Sequence, residues 1–311
     1  MVVGPFGAEG GLMDKLHSKK GISPFAIIVF VLLVLYTVSF LIPMLWGINL
    51  SLKKPNDAEL SPFSIKFPLV IQNYAKVFKD FKVSVYLENS VAPKTYYVEN
   101  MLAFTFVYAV CCSFVNIAVT CLVAYITARF NFKICRIIDV VVIVAMILPI
   151  VGSMPSELRI MRALGMYNTL WGMMIMKANF VGGTTFLIFN VAFKSFPKDF
   201  SEAAEIDGAS NFTVMMSIMM PMIKNTFFTM WLLSFISFWN DYQTPLLYFP
   251  AKPTLSYGLY VYTTDTSQSG AGNNTPLALA TCYLLMLPIL VVFLFTSEKL
   301  IGNVSVGGLK E

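Results

Sequence analysis

Apolar residues gather in six long stretches, and polar residues gather between them. The stretches cover residues 25–48, 101–128, 137–152, 169–193, 218–240 and 276–297. The first, second and last carry no charged side chain, whereas Asp139, Lys177 and Lys224 interrupt the other three. A helix rises about 1.5 Å per residue, so some 20 apolar residues match the ~30 Å hydrocarbon core of a bilayer. The pattern therefore predicts an all-α chain with six transmembrane helices. A lysine inside an apolar stretch is expected to snorkel to the nearest surface, and Lys177 is placed that way.

Lysine and arginine set the expected direction of each crossing. Lys15, Lys19 and Lys20 precede the first stretch, and Arg129, Lys133 and Arg136 follow the second. Lys194 and Lys198 follow the fourth, and Lys299 and Lys310 lie near the end of the chain. The short connections on the other side carry only Arg159, Arg162 and Lys252. Basic residues stay on the cytoplasmic side, so both termini are expected in the cytoplasm of a multi-pass plasma-membrane protein. Residues 49–100 hold seven lysines on the external side, but long loops translocate with little regard to charge. The expected organisation is a tail (1–24), a first crossing (25–48), an external loop (49–100) and a core unit (101–297). A second tail (298–311) follows. Within the core unit, 194–217 is a cytoplasmic loop, and 241–275 is a flexible polar excursion outside.

Composition agrees with this picture and removes other classes. Hydrophobic residues make up 57% of the chain and charged residues 13%, with a mean hydropathy of +0.71. A soluble domain carries roughly 25% charged residues. The net charge of +5 includes no basic block with interleaved aromatics, which argues against a nucleic-acid partner. His17 is the only histidine and lies in the first tail, so no catalytic or metal-binding histidine is expected in the membrane region. Cys111, Cys112, Cys121, Cys135 and Cys282 show no paired spacing and read as small buried side chains. Met215, Met216, Met219, Met220 and Met222 read as deformable packing rather than a metal site. The first apolar run is too long for a signal peptide. The glycine-rich first dozen residues are expected to be disordered. An embedded enzyme or an ion-coupled carrier would need acids at mid-depth, and Asp139 and Asp241 fall at the ends of stretches.

One polar island stands out, the run Glu202-Ala203-Ala204-Glu205-Ile206-Asp207-Gly208, followed by Ile218 and Pro221. Alanines let backbones approach closely. Glu202, Glu205 and Asp207 keep the segment out of lipid and offer charge to another protein. Gly208 supplies the backbone angles that end one short helix and start another. Pro221 suits a helix start, where its missing N–H costs little.

The spacing E-A-A, three residues, G, nine residues, I resembles the coupling loop of ATP-binding-cassette (ABC) importer permeases, with Met220 where leucine is usual before the proline. Further pieces resemble the MalG-type subunits of carbohydrate ABC importers. They include Asn89-Ser90, Ala124-Tyr125 with Ala128-Arg129, Leu148-Pro149 with Pro155, and Leu164-Gly165-Met166-Tyr167-Asn168-Thr169. Phe196-Pro197-Lys198-Asp199-Phe200, Trp239-Asn240 and the final Gly307-Gly308-Leu309-Lys310 follow in order. Glu311 and Asn303 depart from the family's ending.

The resemblance implies a type I ABC importer permease fold and no catalysis in this chain. It implies a homologous second permease subunit, two ABC ATPase subunits that bind ATP and Mg, and an extracellular solute-binding protein. No G-x-x-x-x-G-K-[ST] run occurs, so the nucleotide site must lie elsewhere. Glu202, Ala203, Ala204, Asp207 and Gly208 are the implied ATPase-coupling residues. Phe238, Trp239, Asn240 and Asp241 at the end of the fifth stretch are either part of a carbohydrate path or an interfacial anchor. Asn116 and Asn190 face the bundle interior, as helix–helix glue or as substrate ligands. A peptide or polyamine is the alternative solute, because the coupling loop is shared across importer classes. The 241–275 excursion is expected to reach into the delivering protein.

Overall fold

A computed structural model describes residues 24–86, 92–148, 152–181, 183–197, 199–264 and 274–304, with side chains described to 296. Asn89-Ser90, Pro149, Lys198, both expected tails except Pro24, and the final glycine-rich run lie outside the described residues or side chains.

The chain is mostly helical, and one helix is its axis. Helix α1 is Pro24–Ser51, α2 Pro55–Leu60 and α3 Gln72–Asp80. A hairpin of β1 (Lys82–Val85) and β2 (Lys94–Tyr97) leads into α4, Val98–Arg129. Then come α5 (Lys133–Ile147), α6 (Met154–Ala163), α7 (Leu170–Lys177) and α8 (Thr184–Ser195). Helices α9 (Asp199–Ile206) and α10 (Asn211–Val214) form the polar island, and α10 runs through a π turn, Met215–Met219, into α11, Met220–Asn240. Helices α12 (Gln243–Tyr248), α13 (Leu255–Thr264) and α14 (Thr275–Val304) complete the chain.

Helix α4 packs against α5, α7, α8, α11 and α13. It buries small residues at many of these contacts, including Ala109, Cys112, Ser113 and Ala124. Small side chains let apolar helices approach without an inter-helix hydrophobic drive, which lipid does not supply. Helix α1 stands apart and packs on α14. Its buried residues are only Gly47, Leu50 and Ser51, at one end. A Cβ on Gly47 would run into the Tyr283 hydroxyl, which donates to the Met44 carbonyl (2.7 Å).

Among the described residues, three helices are long and apolar enough to cross a membrane: Pro24–Ser51, Val98–Arg129 and Thr275–Thr296. The other stretches differ from simple crossings. The fourth, expected over 169–193, is broken into α7 and α8. Asn179 Oδ1 accepts the Val181 amide (2.8 Å), and Asn116 Nδ2 donates to the carbonyls of Lys177 (2.9 Å) and Asn179 (3.1 Å). Side-chain bonds thus replace the helical ladder at the break. The fifth stretch begins earlier than its apolar residues do, because Ser210 Oγ caps α10 by accepting the Thr213 amide (3.2 Å). Pro221 sits in the first turn of α11, just after the π turn, so its missing N–H falls where the ladder changes register.

The external loop folds on itself: residues 52–86 and 92–97 form a small unit at the Val98 end of α4, with the hairpin register Lys82↔Tyr97 to Val85↔Lys94. This pairing is a departure from an all-α chain. Asn73 Nδ2 ties the unit to the end of α1 by donating to the carbonyls of Ser51 and Lys53 (2.8 Å each). Buried Lys53 donates to the carbonyls of Ser61 (2.8 Å) and Pro62 (3.0 Å), and its burial holds the ammonium below the usual lysine range. The excursion at 241–275 is not loose over its first part. Helix α13 buries Leu255, Tyr257 and Tyr262 against Val77, Phe81, Val83 and Met101. These side chains are spent within the chain, so a reach toward a delivering protein is left to residues 265–273, outside the described residues.

Candidate functional site

Two places carry unspent chemistry. The first is the Glu202 turn, at the Arg129 end of α4. Helix α9 ends in paired backbone bonds, Gly208 N–H to the Glu205 carbonyl (3.0 Å) and Ala209 N–H to the Ala204 carbonyl (2.9 Å). Gly208 has φ +82°. This is a Schellman ending with the glycine at C′, the position that requires a left-handed backbone. The next helix starts two residues later at the Ser210 cap. Ala204 and Ala209 pack against the base of the bundle beside Tyr125, Phe193 and Val214, whereas Ala203 faces outward.

Helix α9 has no buried residue. Glu202, Glu205 and Asp207 are exposed and pair with no described residue. Apolar side chains stand among them: Ile206 is 86% exposed, Phe212 68% and Phe200 49%. Mixed acidic and apolar surface on one short turn fits neither lipid nor water well, and such patches mark protein contacts. Nearby, the Lys194–Asp139 ion pair (3.6 Å) ties α8 to α5, and Arg129 Nη2 reaches the Met219 sulfur (3.2 Å).

The second place is a polar cavity of about 580 Å³ toward the other end of α4. Helix ends build it: α7 stops at Lys177, α8 starts at Thr184 and α11 stops at Asn240. Its lining includes Asn116, Glu157, Lys177, Asn179, Phe238 and Asp241. Lys177 turns into the cavity, toward the start of the 241–275 segment. Its Nζ donates to Thr244 Oγ1 (3.0 Å), lies 3.9 Å from Asp241 Oδ2, and stands over the Phe238 ring at 5.5 Å. Burial favours this inward pose, because a carboxylate and an aromatic face replace the water that the ammonium loses. Tyr108 OH donates to Asp241 Oδ2 (2.9 Å), and the Thr244 amide donates to Asp241 Oδ1 (3.0 Å). Tyr248 OH donates to Glu157 Oε2 (2.9 Å). Burial, then the Glu157 carboxylate, pushes this phenol up to about 12, so it keeps its proton at neutral pH.

The sequence candidates separate here. Asn116 and Phe238 line the cavity. Trp239 does not: it is buried against Phe235 and donates Nε1–H to the Leu285 carbonyl (3.3 Å). Asn240 lines a different hollow, with Tyr242, Tyr260 and Met286. Asn190 is buried near the base of the bundle and donates to Thr127 Oγ1 (2.8 Å), a helix–helix bond. Asp241, expected with that cluster, also lines the cavity, whereas Lys177, Glu157 and Asn179 were not among the site candidates. The available signal was Lys177 itself, a cation inside an apolar stretch whose partner Asp241 ends the next but one helix of the bundle.

The chain resembles known transport proteins along most of its length. It is 26% identical over 285 residues to the diacetylchitobiose uptake system permease protein NgcG of Streptomyces coelicolor, covering 91% of this chain and 88% of that one. It is 26% identical over 278 residues to the sulfoquinovosyl glycerol transport system permease protein SmoH of Agrobacterium fabrum, covering 88% and 90%. Its fold matches a chain in the crystal structure of a bacterial ABC transporter involved in import of the acidic polysaccharide alginate. That match has a TM-score of 0.68 and 20% identity, over 95% of this chain and 99% of that one. Residues 120–300 match the model of the binding-protein-dependent transport system inner membrane component, and they include the Glu202 turn and most of the cavity wall. With its apolar crossings, its exposed turn at one end and its polar cavity toward the other, the chain belongs to that family of membrane transport components, which are not enzymes.

Proposed function

We propose that this chain is a permease subunit of an ATP-driven ABC importer for an oligosaccharide. It forms the translocation path with a second, homologous permease subunit. Two ATPase subunits, which hold the ATP and Mg, dock beneath it, and an extracellular binding protein delivers the solute. In this reading the chain makes six crossings, with α5 and the broken α7–α8 pair among them, and both termini lie in the cytoplasm, the side that the lysine and arginine pattern favours. The Glu202 turn then faces the ATPases, and Glu202, Ala203, Ala204, Asp207 and Gly208 pass their closure to the bundle. The cavity beside Asn116 and Phe238 is this chain's share of the solute path.

The observation that carries this reading is the turn's divided surface. One side, through Ala204 and Ala209, is fastened to the bundle. The other presents acids and exposed Ile206, Phe212 and Phe200, which no described residue covers. A lever needs one end fixed and one end gripped. The carbohydrate names of relatives matched over most of this chain support the solute class. Uptake of labelled oligosaccharides, amino acids and polyamines by cells with and without the chain tests it. Loss of oligosaccharide uptake alone is expected on deletion. Loss of amino-acid or polyamine uptake, with sugar uptake intact, overturns the solute class.

A further inference from the structure

Resting on the reading of the cavity as a solute path, we infer that its charge selects among sugars: it admits neutral and cationic ones and repels acidic ones. Three ionisable side chains line it, and they do not balance. Lys177 stands against Asp241, which leaves Glu157 as an excess negative charge. The Tyr248 hydroxyl occupies Oε2 of Glu157, and the other carboxylate oxygen accepts no hydrogen bond from the described residues. Arg159 and Arg162 follow Glu157 on α6, but neither is in the lining, and Arg162 is turned over the Tyr167 ring.

The hydrogen-bonding groups point the same way. Both amide protons of Asn116 are used on the α7–α8 break, so its free group is an acceptor. Asp241 and Glu157 accept, and the Lys177 ammonium is engaged by Thr244 and Asp241. A wall rich in acceptors takes a ligand rich in donors, which means hydroxyls or an ammonium. A carboxylate or sulfonate would meet the like charge of Glu157, and repulsion of that kind is how specificity against a competitor is built. The Phe238 face supplies an apolar surface for a sugar ring.

The test reads the cavity's charge directly. Ser237→Cys places a thiol in the lining of the complete transporter in lipid nanodiscs, and Thr185→Cys gives a second position should the first fail to assemble. Reaction of that cysteine with a cationic and an anionic methanethiosulfonate of similar size is followed by peptide mass spectrometry, which separates it from the native cysteines. Relative to a free thiol, the cationic reagent is expected to be favoured about tenfold. Glu157→Gln keeps the Tyr248 bond and removes the charge, so the preference should fall severalfold toward unity. No preference, an anionic preference, or a preference that survives Glu157→Gln overturns the inference and leaves sugar import standing. Failure of the uptake experiment with the charge preference intact overturns the sugar class and leaves an electronegative path for another solute.

Discussion

Two turns in this protein are written in the same local grammar and do opposite things. The turn after α6 closes with Gly165 at φ +67°, its N–H on the Arg162 carbonyl (3.1 Å) and the Met166 N–H on the Met161 carbonyl (2.8 Å). The turn after α9 closes the same way at Gly208. Each is followed by a hydroxyl cap, Thr169 on the Gly172 amide and Ser210 on the Thr213 amide (3.2 Å each). Their surroundings differ. The first turn is consumed: Met161 and Met166 are buried, and Asn168 donates to the Tyr248 carbonyl (2.9 Å) and accepts the Ala251 amide (3.0 Å). The second is fastened on one side only. The same backbone device thus makes a buried support in one place, joining α6 and α7, which line the cavity at Glu157 and Lys177, and an exposed handle in the other. Local sequence dictates the shape of a turn, and the neighbours decide whether the shape is a support or a contact.

The largest effect that separates them is expected at Gly172. Alanine in a helix interior normally stabilises by up to about 1 kcal/mol over glycine. Here a Cβ would strike the Met166 carbonyl and the Thr169 hydroxyl. Gly172→Ala is therefore expected to destabilise by roughly 3 kcal/mol, the cost of overpacking against backbone. Thermal unfolding of the purified complex measures it, and an unchanged or raised Tm breaks the claim that this turn is a buried support.

Gly208→Asp probes the handle. A Cβ there meets open space, so only the left-handed backbone is taxed, by about 1–2 kcal/mol. Wild-type amounts of protein should reach the membrane, while transport falls roughly tenfold, in the range of an ordinary coupling energy. Wild-type uptake in that variant would remove the coupling role of the turn.

Asn168 tells backbone from side chain in the consumed turn. It holds φ +58°, and its side-chain oxygen accepts the Ala251 amide. Asn168→Ala loses both the left-handed preference and the bond, about 2 kcal/mol together. Asn168→Gly keeps the backbone and loses only the bond, about 1 kcal/mol. Equal Tm losses for the two would show that the strain is not real.

Much of this was legible in the sequence. The uncharged runs marked α1, α4 and α14, and Gly208 marked the turn after α9, whereas the run around Gly165 was legible as a family resemblance and not as a turn. What was hidden had a physical reason in each case. The 169–193 stretch carries no charge except Lys177, and hydropathy does not register that Asn116, distant in sequence, takes the carbonyl that a continuous helix would use. Lys177 has no meaning as a ligand until Asp241 is known to face it, 64 positions away. Trp239 and Phe238 are neighbours in sequence, but a helix turns each residue by about 100°, so one is core and the other lines the cavity. The tyrosines of α13 looked like a polar excursion because their hydroxyls are read before their rings.

The smallest expected difference lies in the caps. Removing a hydroxyl cap costs typically about 1 kcal/mol wherever it is. Ser210→Ala removes one from the handle, where α9 buries nothing, so the loss has little to propagate into. Faster amide exchange near Thr213 is expected, with the global Tm unchanged. Thr169→Ala removes the matching cap from the support. Thr169 also donates to the Met166 carbonyl (2.7 Å), and Met166 and Met173 are buried with Tyr108 and Tyr248. That loss is shared with the buried cluster, so the global Tm should fall along with local protection. A fall in Tm of the same size for both variants would mean that the handle is as deeply built into the fold as the support, and a turn that is already fully spent within its own chain has no surface left for a partner to grip.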